Sequence, residues 1–304
     1  MPEVSVIICT HNPREPVLRR AIEALRGQTL PLARWEFVLV DNASAKPVTE
    51  IVDLAWHPAG RIVRETELGL TPARLRGIAE TKGGLVVFVD DDNVLDSDYL
   101  EQAVRLAAEF PMLGAFGGSC RGEFAVPLPP WIKKYLPGLV IQEIDRDHWS
   151  NDYHWSLACP YGAGMCVRRQ VADTYAANVS QKTLLKKLGR TGTRLLSGED
   201  TDLAWTAIDL GMGTGRFRGL RLLHLIPEGR LTEDYIVRLY AGFSYSDTIL
   251  AASRRGKESI LGKSLPSELL TLAKECIKRR GIDRKVYLAQ WKARREAIQV
   301  LRAS

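Results

Sequence analysis

The chain has 304 residues, 45% hydrophobic and 26% charged, enough for a sizeable core and unlike a disordered or fibrous protein. No apolar run reaches the ~20 residues of a membrane-spanning helix, and no basic, cleavable leader precedes Val4, so a cytoplasmic location is expected. The net charge of +6 is uneven: from Arg254 onward there are 14 Lys and Arg against 5 Asp and Glu, leaving a slightly acidic body. Such a tail suits peripheral contact with an anionic membrane face or a phosphorylated acceptor, and equally solvated helical faces; no nucleic-acid partner is expected. The five cysteines (Cys9, Cys120, Cys159, Cys166, Cys276) show no CxxC spacing, which disfavours a zinc or disulfide framework.

In chain order, short apolar runs at Val4–Cys9, Trp35–Val40, Arg61–Val63 and Leu85–Val89 read as buried strands. Between them, Leu18, Ala21, Ile22 and Leu25 fall on one helical face behind Pro16, and Thr71-Pro72 opens a second helix that Gly83-Gly84 ends. A third is expected from about Asp96, with Tyr99, Leu100, Ala103, Val104 and Ala107 as its stripe. Strand–helix alternation of this kind predicts an α/β fold with a mainly parallel sheet. Prolines 127, 129, 130 and 137 interrupt regular structure between Gly122 and Gly164. Thr201–Leu210 is helical, and helix-forming sequence dominates from Thr232 onward, broken at Gly256, Pro266 and Gly281. The simplest organisation is a catalytic domain over 1–230 and a basic helical extension over 231–304.

The strongest chemical signal is Asp90-Asp91-Asp92 at the end of the run Val86–Val89. Three adjacent carboxylates at a buried strand end repel one another unless a cation compensates, and a hard divalent ion bridging to a diphosphate does so. In open α/β sheets ligands gather at these carboxyl ends. A helix-capping turn would need only one Asp. Asp41 closes the second strand, where a dinucleotide-binding fold would use it on a ribose. The first turn is instead Cys9-Thr10-His11-Asn12-Pro13, with no G-x-G-x-x-G and no P-loop, which removes most support for hydride transfer.

Five segments in order, Ser5–Asn12, Val40–Ser44, Leu68–Gly77, Asp90–Asp92 and Gly198-Glu199-Asp200, together resemble the family 2 inverting glycosyltransferases of GT-A fold, over roughly Val4 to His224. The resemblance implies a Rossmann-like GT-A sheet flanked by helices, and transfer of a sugar from a nucleotide donor to an acceptor hydroxyl with inversion. The acceptor would be a carbohydrate or lipid-linked, in cell-surface polysaccharide or glycoconjugate synthesis. By family position, Thr10, Asn12 and Asp41 would line base and ribose, and Arg74 would sit beside the nucleotide. An Asp carboxylate accepting a ring N–H suits uracil or thymine, hence a UDP- or dTDP-sugar. Asp92 matches the metal-binding end of the family's DxD motif for Mn²⁺ or Mg²⁺. Asp90 would be a further ligand, Asp90 or Asp91 would contact ribose or metal-bound water, and His224 would be an additional metal ligand.

Asp200 would be the general base and Glu199 would position a sugar, although an Asp at a helix start also caps free N–H groups for about 1 kcal/mol. Tyr161–Met165 resembles the small-residue segment near the acceptor, with Trp131, Trp149, Tyr153 and Trp155 as candidate sugar faces or core filling. Two rival readings are a nucleotidyltransferase, which would want a basic or Gly-rich loop where Pro13-Arg14-Glu15 stands, and a non-catalytic nucleotide-sugar scaffold. The scaffold should show a broken Asp cluster or Glu-Asp pair, and both are intact.

Overall fold

The computed structural model describes residues 1–153, 157–181, 188–190, 195–257, 260 and 265–303. Its centre is a nine-stranded mixed sheet. The strands are β1 (Val4–Thr10), β2 (Trp35–Asn42), β3 (Gly60–Glu65), β4 (Leu85–Asp90), β5 (Asn93–Leu95), β6 (Leu113–Phe124), β7 (His148–Ser150), β8 (Cys166–Arg168) and β9 (Gly213–Ile226). Eight helices are described: α1 (Glu15–Arg26), α2 (Leu70–Ala79), α3 (Tyr99–Glu109), α4 (Arg169–Gln181), α5 (Glu199–Asp209), α6 (Glu233–Arg255), α7 (Leu265–Lys278) and α8 (Gly281–Ala303).

The order across the sheet is β3-β2-β1-β4-β8-β6-β9-β5, with β7 on β9. The first four strands are parallel, as the strand–helix alternation predicts. Beyond β4 the sheet turns mixed, because β8 runs antiparallel to both β4 and β6, and β5 and β7 run antiparallel to β9. Three of the added strands, β5, β7 and β8, are only three residues long, too short for a period to show.

The parallel half is held by burial. Val4, Val6 and Ile8 of β1 pack under the α1 face of Leu18, Ala21, Ile22 and Leu25, all buried as their spacing predicts. Each such side chain stabilises by roughly 1.5–3 kcal/mol when fully removed from water. Ile7, on the opposite face of the strand, packs towards α2. One buried charge in this half is satisfied: Glu36 of β2 accepts the Ser5 hydroxyl at 2.8 Å, the Lys82 N–H at 2.6 Å and the Arg61 guanidinium at 2.9 Å.

The segment 122–164 is less irregular than its prolines imply. β6 runs on to Phe124, Pro130–Leu139 forms a 3-10 helix, and β7 joins β9. The 3-10 helix buries Ile132, Tyr135 and Leu139 in a second core with Ile226, Ile236 and Leu239. Helix α6 therefore packs directly on the sheet-bearing part of the chain.

Candidate active site

The parallel register sets the site. Cys9 of β1 lies opposite Asp90 of β4, so the residues just beyond them, Thr10 and Asp91, become neighbours. The Thr10 hydroxyl donates to Asp91 Oδ2. The chain then turns back sharply as β5, pinned by buried Asn93, whose Oδ1 accepts the Asp90 N–H at 3.2 Å. β5 pairs antiparallel with β9 in the register Asn93↔His224, and Leu225 N–H donates to the Asp92 carbonyl at 2.9 Å. That pairing brings two residues 132 positions apart face to face: His224 Nε2 lies 3.3 Å from Asp92 Oδ1.

Arg230, from the turn Glu228–Leu231 after β9, closes this cluster. Its Nη1 lies 3.0 Å from Asp92 Oδ2 and 3.1 Å from His224 Nε2. Burial opposes the charge on Asp92, but His224 and Arg230 outweigh it and hold the carboxyl well below the usual range. Burial and the Asp92 charge instead push Asp91 up to about 7. Neighbouring carboxylates thus divide into one ionised group and one that keeps its proton near neutrality.

Asp92 and His224 fit a divalent ion as a pair. Carboxylate oxygen and imidazole nitrogen are suitable metal donors, the imidazole in its neutral form with a lone pair on Nε2. His224 Nδ1 is buried without a hydrogen-bond partner. Among the described residues no three His, Cys, Asp or Glu donors converge, so the protein would supply only part of a coordination shell. Mg²⁺-type ions are commonly held this way, by one or two protein ligands with phosphate oxygens and water.

Arg74 of α2 links this cluster to the second one. It is 3% exposed, lies over the Phe88 ring at 5.3 Å, and places Nη2 3.7 Å from Asp90 Oδ1 and Nη1 3.4 Å from Glu199 Oε1. Glu199 and Asp200 open helix α5, where the free N–H groups and the helix dipole favour negative charge. Burial and the Asp200 charge nonetheless push Glu199 up to about 7, against Arg74 and the Gly198 N–H. Asp200 accepts the Thr201 N–H on Oδ1 at 2.8 Å and the Gly162 N–H on Oδ2 at 3.1 Å. Glycine at 162 leaves room for both groups, since a Cβ there would lie 2.7 Å from Arg74 Nη2 and 3.2 Å from Asp200 Cβ and would push the guanidinium aside.

One cavity of about 720 Å³ joins both clusters, within the range typical of small-molecule sites. Of the residues singled out in the sequence, Thr10, Arg74, Asp90, Asp91, Asp92, Glu199, Asp200 and His224 line it. Asp41 and Asn12 do not. The Asp41 carboxylate is spent on its own loop, accepting the Ser44 N–H at 3.0 Å, the Val48 N–H at 3.3 Å and Arg64 Nη1 at 3.0 Å. Asn12 takes a left-handed backbone (φ 48°), and its Oδ1 accepts the Ala45 N–H at 2.8 Å, stitching the β1 and β2 loops together. Asn42, next to Asp41, is the β2 residue at the cavity.

Of the aromatic candidates, Trp131 packs on Tyr135, Tyr153 packs on Trp205, and Trp149 is exposed; none of these three lines the cavity, and Trp155 lies outside the described residues. Tyr161, Tyr240 and Phe243 line it instead, together with the cations Arg190 and Arg230. The Cys9 thiol also reaches it, but burial pushes it up to about 12, too high for a nucleophile at neutral pH.

The sequence profile of glycosyl transferase family 2 matches residues 5–173, more than half of the chain. The chain belongs to that family, and its fold is the GT-A fold that the motif order implies. Among solved structures, S. aureus TarS 1–349 in complex with UDP-GlcNAc superposes with a TM-score of 0.53 at 15% identity, covering 99% of this chain and 92% of that one. Glycosyltransferase AglE of Haloferax volcanii is 30% identical over 107 residues, which is 34% of this chain and 35% of AglE. An N-acetylglucosaminyltransferase of Azorhizobium caulinodans is 23% identical over 261 residues, which is 82% of this chain and 62% of that protein. The chain spans about a third of the length of the first curated relatives it matches.

Proposed function

We propose that this chain is an inverting glycosyltransferase that moves a sugar from a UDP- or dTDP-sugar to an acceptor hydroxyl. The observation that carries the reading is the shared cavity: a carboxylate–imidazole pair suited to a diphosphate-bound cation and a carboxylate suited to a base open into the same space. In this reading the acceptor oxygen bonds to the anomeric carbon as the bond to the diphosphate breaks, and Asp200 takes the hydroxyl proton. The Gly162 and Thr201 N–H groups fix the Asp200 carboxylate for that transfer. Glu199 and Arg74 hold the sugar between the two clusters, and Arg190 and Arg230 offer positive charge to the departing diphosphate. Asp92 and His224 would hold Mn²⁺ or Mg²⁺, which when bound offsets negative charge on the diphosphate.

The names of two similar proteins, an N-acetylglucosaminyltransferase and a TarS structure holding UDP-GlcNAc, make UDP-GlcNAc the first donor to test. A pathway of cell-surface polysaccharide or glycoconjugate synthesis suits such a donor. Among the described residues no helix is long and apolar enough to cross a membrane. The exposed Leu269, Leu270 and Ile277 of α7, beside Lys278, Arg279 and Arg280, suit a peripheral contact with an anionic membrane face. The test of the main reading is thermal stabilisation and donor hydrolysis across a panel of nucleotide sugars, with Mn²⁺ and with EDTA. UDP- or dTDP-sugars should act only with the metal, and a panel in which no nucleotide sugar binds would overturn the reading.

A further inference from the structure

Part of the cavity lies outside the segment that the family profile covers. Tyr240, Phe243 and Asp247 of α6, spaced by three and four residues, share one face of that helix and line the cavity. The helix is fastened to the loop that leads into Glu199 and Asp200. The Ser246 hydroxyl accepts the Ser197 N–H at 3.2 Å, and a Cβ on Gly242 would lie 2.0 Å from the Leu195 carbonyl oxygen, so only glycine permits this approach. Further along, Arg254 pairs with Asp202 and Asp209 of α5, each at 2.6 Å. Asp247 thus sits one residue from a direct contact with the chain that carries the proposed base.

The aromatic groups are held rigidly. The Tyr240 ring meets Tyr135 and Phe243 edge-on, at 5.3 and 5.4 Å, and rests on Gly138, where a Cβ would lie 2.8 Å from the ring. Tyr240 and Phe243 stay half-buried, with part of each ring open to the cavity, and Asp247 is exposed.

We infer that Tyr240, Phe243 and Asp247 form the acceptor subsite and take the pyranose ring of a carbohydrate. The inference rests on the glycosyltransferase reading and adds the acceptor's chemistry to it. A pyranose has an apolar C–H face for the aromatic rings and an equatorial rim of hydroxyl donors for the carboxylate. An alkyl chain would desolvate Asp247 without offering it a donor, and a wholly polar ligand would leave the rings wet. Acceptor choice then lies in the C-terminal helices, while Thr10, Arg74 and Asp90–Asp92 of the donor side come from the family segment.

The test is saturation-transfer NMR on the full chain with UDP and diamagnetic Mg²⁺, using methyl glycosides of glucose, galactose, N-acetylglucosamine and rhamnose as probes. At least one should bind, and Tyr240→Leu and Phe243→Leu, which keep apolar bulk but lose the flat face, should each weaken it roughly 3- to 10-fold. Asp247→Asn should weaken it less, and UDP affinity by calorimetry should stay within about twofold in all three. Unchanged glycoside affinity with UDP binding intact would overturn this inference alone. Failure of the unaltered protein to bind any UDP- or dTDP-sugar would instead overturn the reading beneath it. Binding of octyl but not methyl glycosides would assign the aromatic wall to an alkyl chain, and loss of UDP affinity in the leucine variants would assign it to the donor; either result overturns the proposal.

Discussion

Replacing Asp200 by Asn separates proton transfer from helix capping, and the structure sets the size of each effect. The carboxylate accepts two N–H groups, from Thr201 on Oδ1 and Gly162 on Oδ2. The amide keeps one acceptor, so its NH₂ must face the second N–H and one charge-assisted hydrogen bond is lost, at a cost of about 1.5–3 kcal/mol. Loss of a charge from the first turn of α5 adds roughly 0.3–1 kcal/mol. From capping preference alone Asn would be silent, but the Gly162 contact makes it visible, with an expected fall of roughly 4–8 °C in Tm. The effect on chemistry should be larger. An amide cannot take the acceptor proton at neutral pH, so transfer should fall by about 10²- to 10⁴-fold, or roughly 3–5 kcal/mol on the barrier. Transfer should be assayed well below the lowered Tm, with UDP affinity measured in parallel by calorimetry. UDP affinity should hold, because the Asp200 carboxylate bonds to Thr201 and Gly162 and not to the Asp92–His224 pair. Turnover near that of the unaltered enzyme in Asp200→Asn would refute the general-base role and direct attention to Glu199.

Two further outcomes follow from the buried charges. Arg230 donates to the same Asp92 and His224 atoms that a divalent ion would use, so Arg230→Met should raise Mn²⁺ affinity in the absence of nucleotide by roughly tenfold, about 1.4 kcal/mol. It should also lower Tm in EDTA; paramagnetic resonance titration showing unchanged or weaker Mn²⁺ binding would count against the competition. Glu199, raised from 4.5 to about 7 in the fold, keeps a proton that the unfolded chain releases, so its contribution to stability is present below pH 4.5 and declines as pH rises to 7. The span corresponds to on the order of 3 kcal/mol, and Asp91 adds a slope of the same sign. In EDTA, Glu199→Gln should therefore flatten the fall of unfolding free energy between pH 5 and 7 without abolishing it; a slope identical to that of the unaltered chain would show that Glu199 ionises freely in the fold.

How much of this was legible in the sequence depends on whether a residue's role is local. The helix face of Leu18, Ala21, Ile22 and Leu25 and the strand ends at Thr10 and Asp90 could be read because a period or a run announces them over a few residues. Asp41 stood at the right strand end, yet two loop N–H groups and Arg64 already satisfy its carboxylate, and nothing in Val40-Asp41-Asn42 shows that the next seven residues fold back onto it. The pairing of Asp92 with His224 depends on β5, three residues long and too short for any period to show, and Arg230 belongs to no motif at all.

The aromatic face of α6 was hidden for a different reason. Tyr240 and Phe243 at a spacing of three read as ordinary core packing on a helix, and the ring contacts of Tyr240 with Tyr135 and Phe243 are indeed packing. Their second role appears only because Gly242 and Ser246 bring that face against the Leu195–Gly198 loop. A division of labour in energy follows. Strand register brings Thr10 beside Asp91 in the parallel half and Asp92 beside His224 through β5 and β9, and register tolerates side-chain change provided the strands stay paired. The α6 wall is set by side-chain and glycine contacts, where a single added methyl group would displace it. In the reading proposed above, a change in the α6 wall would alter the acceptor while leaving the strand pairing around Asp91 and Asp92 in place.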